Sequence, residues 1–360
     1  MWKDLEIAVC KCDSGQLKEK PDQENLGFGN YFSDHMFLMK WDREKGWHDA
    51  EIGPYKNFSL DPAAMALHYG QAIFEGLKAY RGDDNQIFMF RPEDNLERMN
   101  SSALRMCMPR IPVDQVLKAM KALVYLDRDW VPEKPGATLY VRPTMVAVEA
   151  ALGVRPANQY YFFMIMSPVG AYYPEGFNPT KIWVTDKYVR AVKGGVGTAK
   201  AAGNYAASIM AAEEANRAGY TQVLWLDACE HRYIEEVGTS NIFIKIGDDL
   251  ITPPLNGSIL AGITRDSVIQ LAKSWGVNVV EKMIAIDEVL SANEDSSLQE
   301  VFGTGTAAVI SPVGELCYQD KKYLVANGNA GELSERLFDE LQGIQYGKQE
   351  DPFKWTVRIG

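Results

Sequence analysis

The chain has 360 residues, a formal net charge of −11 and a pI near 5.0, which excludes a protein that grips nucleic acid or an anionic membrane through a basic face. Its 46% apolar and 24% charged content is that of a globular protein, and its length allows two domains, each with its own core. The longest apolar runs, such as 160–166, are strand-sized and too short to cross a bilayer.

Residues 1–7 are mixed and acidic, without the basic-then-apolar order of a secretory signal, and 1–27 read as an arm laid over the body. Cys10 and Cys12 form a Cys-x-Cys, but Cys107, Cys229 and Cys317 supply no second half of a zinc site. His35, His48, His68 and His231 are equally dispersed, so no metal is expected; the expected compartment is the reducing cytoplasm. Strands follow at 35–41 and 47–52, joined by the turn 42–46. Asp61 and Pro62 have the chemistry of a helix N-cap and first helical position. Residues 75–80 and 86–90 read as strands around a turn at 81–84. Leu96, Met99, Ala103 and Met106 recur at three to four residues and predict a helix over 93–106; a second covers 113–123. Strands at 137–146 and 160–167 complete an α+β pattern.

Three prolines and two glycines in 168–180 argue against both helix and central strand. They set the expected boundary: a smaller N-terminal α+β domain at 1–167, an interdomain loop at 168–180 and a larger C-terminal domain at 181–360. In the second half, strands are expected at 181–185, 223–227 and 277–284, a strand pair around 236–241 and a turn at 247–249. Helices are expected at 205–217 before Gly219, 263–275 before Gly276, 287–291 and 331–342.

Between the first of these strands and the first of these helices lies Lys200, in a run of small residues with glycines at 194, 195, 197 and 203 and no acid nearby in sequence. A lysine in such a crevice can lose its proton near neutral pH and act as an amine nucleophile; a solvated lysine on a loop fits the same residues. Four further features have the same double character. Gly262-Ile263-Thr264 opens a helix whose first N–H groups suit a phosphate, or is an ordinary cap. Gly303-Thr304-Gly305-Thr306 reads as an anion-binding turn, or a plain one. Glu236, beside Gly238, can face a ring nitrogen, with Glu235 pointing the opposite way on the strand, or both are solvated. Arg91 at a helix mouth can hold phosphate, or make a surface ion pair. Taken together, a nucleophilic lysine, two anion cradles, an arginine and an acid for a ring nitrogen are what pyridoxal 5′-phosphate requires.

At these residues the chain resembles the branched-chain amino-acid aminotransferases of the pyridoxal-phosphate fold-type IV group. The likeness runs from about Leu26 to the C-terminus and rests on 69–80, 90–92 with 95–99, 139–143, 193–205, 236–241, 252–255, 262–265 and 302–307. It implies a two-domain α+β/α/β fold, D-amino-acid aminotransferase-like, with the cofactor between the domains. It also implies a homodimer and a reversible ping-pong exchange between L-leucine, L-isoleucine or L-valine and 2-oxoglutarate. Lys200 would be the Schiff-base lysine and proton shuttle, Tyr205 would bond the cofactor's phenolic oxygen, and Glu236 its ring nitrogen. Arg91, Gly262, Ile263, Thr264, Gly305 and Thr306 would surround the phosphate, and Thr239 and Leu260 the ring.

Phe28, Tyr69, Phe74 and Tyr140 would form the substrate pocket, with Val154 from a second subunit. Thr306 and Ala307 would receive the substrate carboxylate near Arg142, and Tyr172 and Tyr173 would close over it. Some animal members carry a Cys-x-x-Cys where this chain has Ala308 and Ser311, so thiol gating is not expected. A D-amino-acid aminotransferase, an aminodeoxychorismate lyase and a non-catalytic homologue are the alternatives.

Overall fold

The computed structural model describes residues 5–170, 172 and 177–360. The chain divides into two units, each built on its own sheet. The first holds residues 1–172 together with 199–203 and 343–360; the second holds 173–198 and 204–342.

In the first unit the sheet order is Ile7–Val9, Gly46–Pro54, His35–Asp42, Gln159–Val169, Thr138–Ala147, Leu77–Arg81, Ile87–Phe90 and Thr356–Ile359, with Ala72–Phe74 paired to Thr138–Ala147. All pairs are antiparallel except the first. Side chains alternate across the sheet: Tyr160, Phe162, Met164 and Met166 are buried, while Tyr161, Phe163 and Ile165 are half-buried. Helices Pro92–Arg105 and Val113–Leu126 supply Leu96, Met99, Ala103, Val116, Met120 and Leu123 to the same core. The arm is anchored at several points. Ile7–Val9 pairs with Gly46–Pro54, the Cys12 N–H donates to the ring of buried His35 at 2.9 Å, and the Lys18 N–H donates to Asp34 at 2.8 Å.

In the second unit the order is Ile234–Val237, Gln222–Leu226, Thr180–Thr185, Val309–Tyr318, Leu298–Gly305, Asn241–Ile246, Asp249–Thr252 and Asn278–Glu281, with Lys321–Leu324 paired to Val309–Tyr318. This sheet is mixed, with parallel pairs around Thr180–Thr185 and at Asp249–Thr252. Helix Ala202–Arg217 packs Ala211 and Ala215 on Val223 and Trp225, and Gly219 follows it in the left-handed conformation (φ 84°). Helix Glu332–Gln345 is capped by Glu300, whose carboxylate accepts from the Leu333 and Ser334 N–H groups, each at 2.9 Å.

Four expectations are corrected. Asp61 caps a turn, not a helix: its carboxylate accepts the Ala63 N–H at 2.8 Å, and the helix Met65–Tyr69 begins later, after Ala64. The strand Gln159–Val169 runs through Pro168 into the expected loop. Its pairing with His35–Asp42 ends at Met164, so Pro168 sits where one neighbour is missing and its absent N–H costs little. The domain partition also differs. Ala201 bridges Ile73 and Thr356–Ile359 closes the first sheet, so Lys200 and the C-terminal strand belong to the first unit, which is the larger. Finally, Gly303 and Thr304 are strand residues opposite Ser311 and Ile310; the turn is 306–308, and it leads into a left-handed Val309 (φ 63°).

Candidate active site

Lys200 is fixed through its backbone: its N–H donates to Ser102 Oγ at 2.9 Å, and its carbonyl accepts the Phe74 N–H at 3.1 Å. Its ammonium stands 5.0 Å from the Phe74 ring centroid. Burial, reinforced by the Arg98 and Arg142 charges, lowers the amine from the usual lysine range to about 8, against an opposing pull from Glu75. Glu75 is fully buried and held by both Nε and Nη2 of Arg98, each at 2.8 Å, so it is engaged as the arginine's partner. Buried Lys78 is lowered to about 8 by burial alone; what sets Lys200 apart is the wall around it.

Phe74, Tyr140 and Arg142 form that wall. Tyr140 and Arg142 lie two apart on Thr138–Ala147 and so share a face. The Arg142 guanidinium covers the Phe74 ring at 4.7 Å and the Tyr140 ring at 5.1 Å, and its Nη2 donates to the Tyr140 hydroxyl at 3.3 Å. Its Nε is buried and has no hydrogen-bond partner among the described residues, which suits an incoming anion. Gly76 is required beside it, since a Cβ there would overlap the Tyr140 hydroxyl. Phe28 brings the arm against this wall: its ring packs edge-on to Tyr140 at 5.1 Å and to Tyr172 at 5.0 Å.

The second unit holds the carboxylate. Glu236 is 3% exposed; its Oε1 accepts the Leu260 N–H at 2.8 Å, and its Oε2 lies 3.0 Å from Arg190 Nε. Arg190 Nη2 donates to the carbonyls of Gly197 and Ser258. Glu235 does not turn away as strand alternation implied. The register with Gln222–Leu226 slips at this point, Glu235 is the unpaired residue of a bulge, and its carboxylate accepts from Ser258 Oγ in the same loop that serves Glu236. Nor is it solvated; burial raises its carboxyl above the usual range.

Gly262 caps helix Ile263–Ser274, whose first-turn N–H groups lie outside the helical ladder. A side chain at Gly262 would overlap Asn241 Oδ1, and Asn241 Nδ2 in turn donates to the Leu260 carbonyl at 2.9 Å. Thr264 is buried.

Residues 72–316 match the family model for amino-transferase class IV. The chain belongs to this family. Among similar proteins, branched-chain-amino-acid aminotransferase 2 of Bacillus subtilis (strain 168) is 54% identical over 342 residues, covering 95% of this chain and 94% of the relative. Branched-chain-amino-acid transaminase 1 of the same organism is 52% identical over 343 residues, covering 95% and 96%. The crystal structure of the Escherichia coli branched-chain amino acid aminotransferase superposes with a TM-score of 0.77 at 27% identity, over 91% of this chain and 99% of that one. The branched-chain amino acid aminotransferase of T.th., solved with pyridoxamine 5′-phosphate, gives a TM-score of 0.74 at 27% identity, over 89% and 98%. The α+β reading with two sheets is the fold-type IV arrangement of this class IV family.

Of the residues singled out in the sequence of this class IV aminotransferase, Phe28, Phe74, Tyr140, Arg142, Tyr172 and Lys200 are gathered in the first unit. Arg91 lies in that unit too, as the left-handed N-cap of Pro92–Arg105, with Nε donating to Asp94 at 2.6 Å. Tyr69 ends helix Met65–Tyr69 and is exposed, as is Val154. Tyr205 lies in the first turn of Ala202–Arg217. Thr239 is exposed in the two-residue turn with Gly238, which bridges Val237 to Ser240. Gly305, Thr306 and Ala307 end the strand Leu298–Gly305 and begin its turn. Thr304 pairs with Ile310 between Gly303 and Gly305, whose missing side chains would meet Val237 and Ser240. Tyr173 lies outside the described residues. Sequence reasoning missed Arg190, Glu75 and Arg98 as participants. Glu75 and Arg98 stood inside quoted motifs; Arg190 had no comparable signal.

Proposed function

We propose that this chain is a pyridoxal-phosphate-dependent transaminase that moves the amino group of L-leucine, L-isoleucine or L-valine to 2-oxoglutarate. The observation that carries the reading is the wall at Lys200: an amine lowered to about 8 stands over Phe74, the same ring that Arg142 covers. Nucleophile and carboxylate-binding cation thus share one aromatic surface. The names of the relatives at 54% and 52% identity support branched-chain donors.

The donor sets fit the cofactor part by part. Lys200 suits its aldehyde carbon, Tyr205 its phenolic oxygen and Glu236 its ring nitrogen. Arg91, the Gly262–Thr264 helix start and Gly305–Thr306 suit its phosphate, with Thr239 and Leu260 along the ring. When bound, the cofactor supplies an electron-accepting ring for charge that develops at the substrate α-carbon. Lys200, half-buried and readily neutral, takes the α-proton and returns it. Glu236, held by the Leu260 N–H and with Arg190 Nε 3.0 Å from its other oxygen, presents its carboxylate to the ring nitrogen. Phe28, Phe74 and Tyr140 exclude water and receive the aliphatic side chain. Arg142, with its unpartnered Nε, receives the second carboxylate of glutamate or 2-oxoglutarate. Thr306 and Ala307 offer N–H groups to the α-carboxylate.

An amino-donor panel with 2-oxoglutarate tests this. L-Leucine, L-isoleucine and L-valine are expected to exceed D-alanine by at least about 10²-fold in kcat/KM, the order a shaped pocket supplies. Preference for D-alanine would overturn the reading, as would a protein lacking a yellow absorbance that borohydride bleaches.

We also propose a homodimer in the cytoplasm. Leu67, Leu152 and Val154 are 63%, 73% and 89% exposed, which suits apolar residues covered by a second copy. All five cysteines are free, as a reducing compartment keeps them, and no described helix is long and apolar enough to cross a membrane. Sedimentation is expected to give twice the chain mass; a fully active monomer would remove Val154 from the pocket.

A further inference from the structure

The strand Thr356–Ile359 pairs antiparallel with Ile87–Phe90, Thr356 opposite Phe90. The residue before the one, Trp355, therefore meets the residue after the other, Arg91. The Arg91 N–H donates to the Trp355 carbonyl at 2.7 Å. The Arg91 guanidinium carbon stands 5.5 Å from the indole centroid, within cation–π range. Trp355 is itself fixed: it is 6% exposed, stacked on Phe353 at 4.3 Å and edge-on to Phe90 at 5.6 Å. The Asp351 carboxylate accepts from both the N–H and the hydroxyl of Thr356, closing the turn that presents the indole.

Arg91 is a demanding residue to hold. Its backbone is left-handed (φ 49°, ψ 47°), which a non-glycine residue adopts only where its surroundings impose it. Its side chain is long, and ordering it on an anion costs rotamer freedom unless that freedom is already gone. Trp355 contributes to both, through its carbonyl on the backbone and its ring on the guanidinium, beside the Asp94 carboxylate that accepts from Arg91 Nε at 2.6 Å.

We propose that Trp355 is a positioning residue for anion binding by Arg91, presetting the guanidinium for the cofactor's phosphate. The inference rests on the reading of Arg91 as a phosphate ligand. It is tested by resolving the holoenzyme and titrating it back with pyridoxal phosphate or with pyridoxal, which lacks the phosphate, while following cofactor absorbance. Trp355→Leu is expected to weaken pyridoxal phosphate about threefold to tenfold and leave pyridoxal unchanged. Trp355→Phe, which keeps an aromatic face, is expected to recover most of the loss. Arg91→Gln is expected to abolish more of the preference than either. If Arg91→Gln loses the preference and Trp355→Leu keeps it, the positioning role is overturned while the Arg91 reading stands. If Trp355→Leu weakens both ligands equally, the indole is a packing residue and the proposal fails. If Arg91→Gln keeps the preference, Arg91 leaves the phosphate site and the proposal falls with it.

Discussion

Lys200→Met is expected to lose at least about 10⁴-fold in turnover and yet leave the cofactor-free protein more stable at pH 7. Both effects have one cause. The amine is lowered to about 8 because burial and the Arg98 and Arg142 charges disfavour its ammonium form. Below pH 8 the folded chain carries that unfavourable charge, whereas the unfolded chain carries it in water. Between about pH 8 and the free value of about 10.4 the unfolded state binds more protons, so the lysine's penalty fades as pH rises. Methionine keeps much of the stem and removes the charge, so its advantage, at most ~3 kcal/mol, is largest below pH 8 and vanishes above pH 10.4. Denaturant melts at pH 7 and pH 10.5 beside steady-state turnover would measure this. Opposite signs for activity and stability cannot come from misfolding. A variant that keeps a tenth of parental turnover, or loses stability at pH 7, would defeat the role given to Lys200.

Arg190→Met is expected to destabilise the protein by about 3–5 kcal/mol, because it removes the cation 3.0 Å from the buried Glu236 carboxylate. Glu236→Gln should cost less, because Arg190 keeps the Gly197 and Ser258 carbonyls and the charge of nearby Glu235. Joined in one chain, the two changes should cost clearly less than their sum, since the Glu236 charge that Arg190→Met exposes to loss of its cation is then gone. Turnover should behave differently. It should fall about 10²–10³-fold in Glu236→Gln, through loss of fixed charge at the reacting ring, and not recover in the double variant. Denaturation and kinetics on the four proteins of the cycle decide it. Additive stabilities would mean that the 3.0 Å contact is incidental; recovered turnover would mean that Glu236 acts only as the arginine's partner.

The helices 93–106 and 113–123 were legible because Leu96, Met99 and Ala103 repeat at helical spacing and bury that face; their observed ends lie within three residues of the expected ones. Lys200, Glu236 and Gly262 stood out as candidates because the features that single them out are local: small residues around the amine, a strand end, a helix start. What could not be read was non-local. Nothing in Tyr-Val-Arg at 188–190 signals that the guanidinium will reach Glu236. Asp61-Pro62 satisfied the helix-start pattern, but a turn uses the same side-chain bond, and only the fold decides which follows. Glu235 was misread because alternation holds for a regular ladder, and a bulge is set by the partner strand. The allotment of Lys200 and the last strand to the first unit depends on pairing with residues far upstream, which composition at 168–180 could not reveal.

That last pairing has a consequence for how the chain is made. Ile87–Phe90 emerges early in synthesis, and the strand that covers its edge arrives about 270 residues later, roughly 15–55 s at ordinary translation speeds. Throughout that interval the nascent chain offers an apolar edge, Ile-Phe-Met-Phe, to any other strand in reach. The second unit, 173–198 and 204–342, is fully synthesised before that strand appears, while the first still waits. Yield in a cell therefore depends on what shields that edge during translation, and a stop codon before Thr356 would make the exposure permanent.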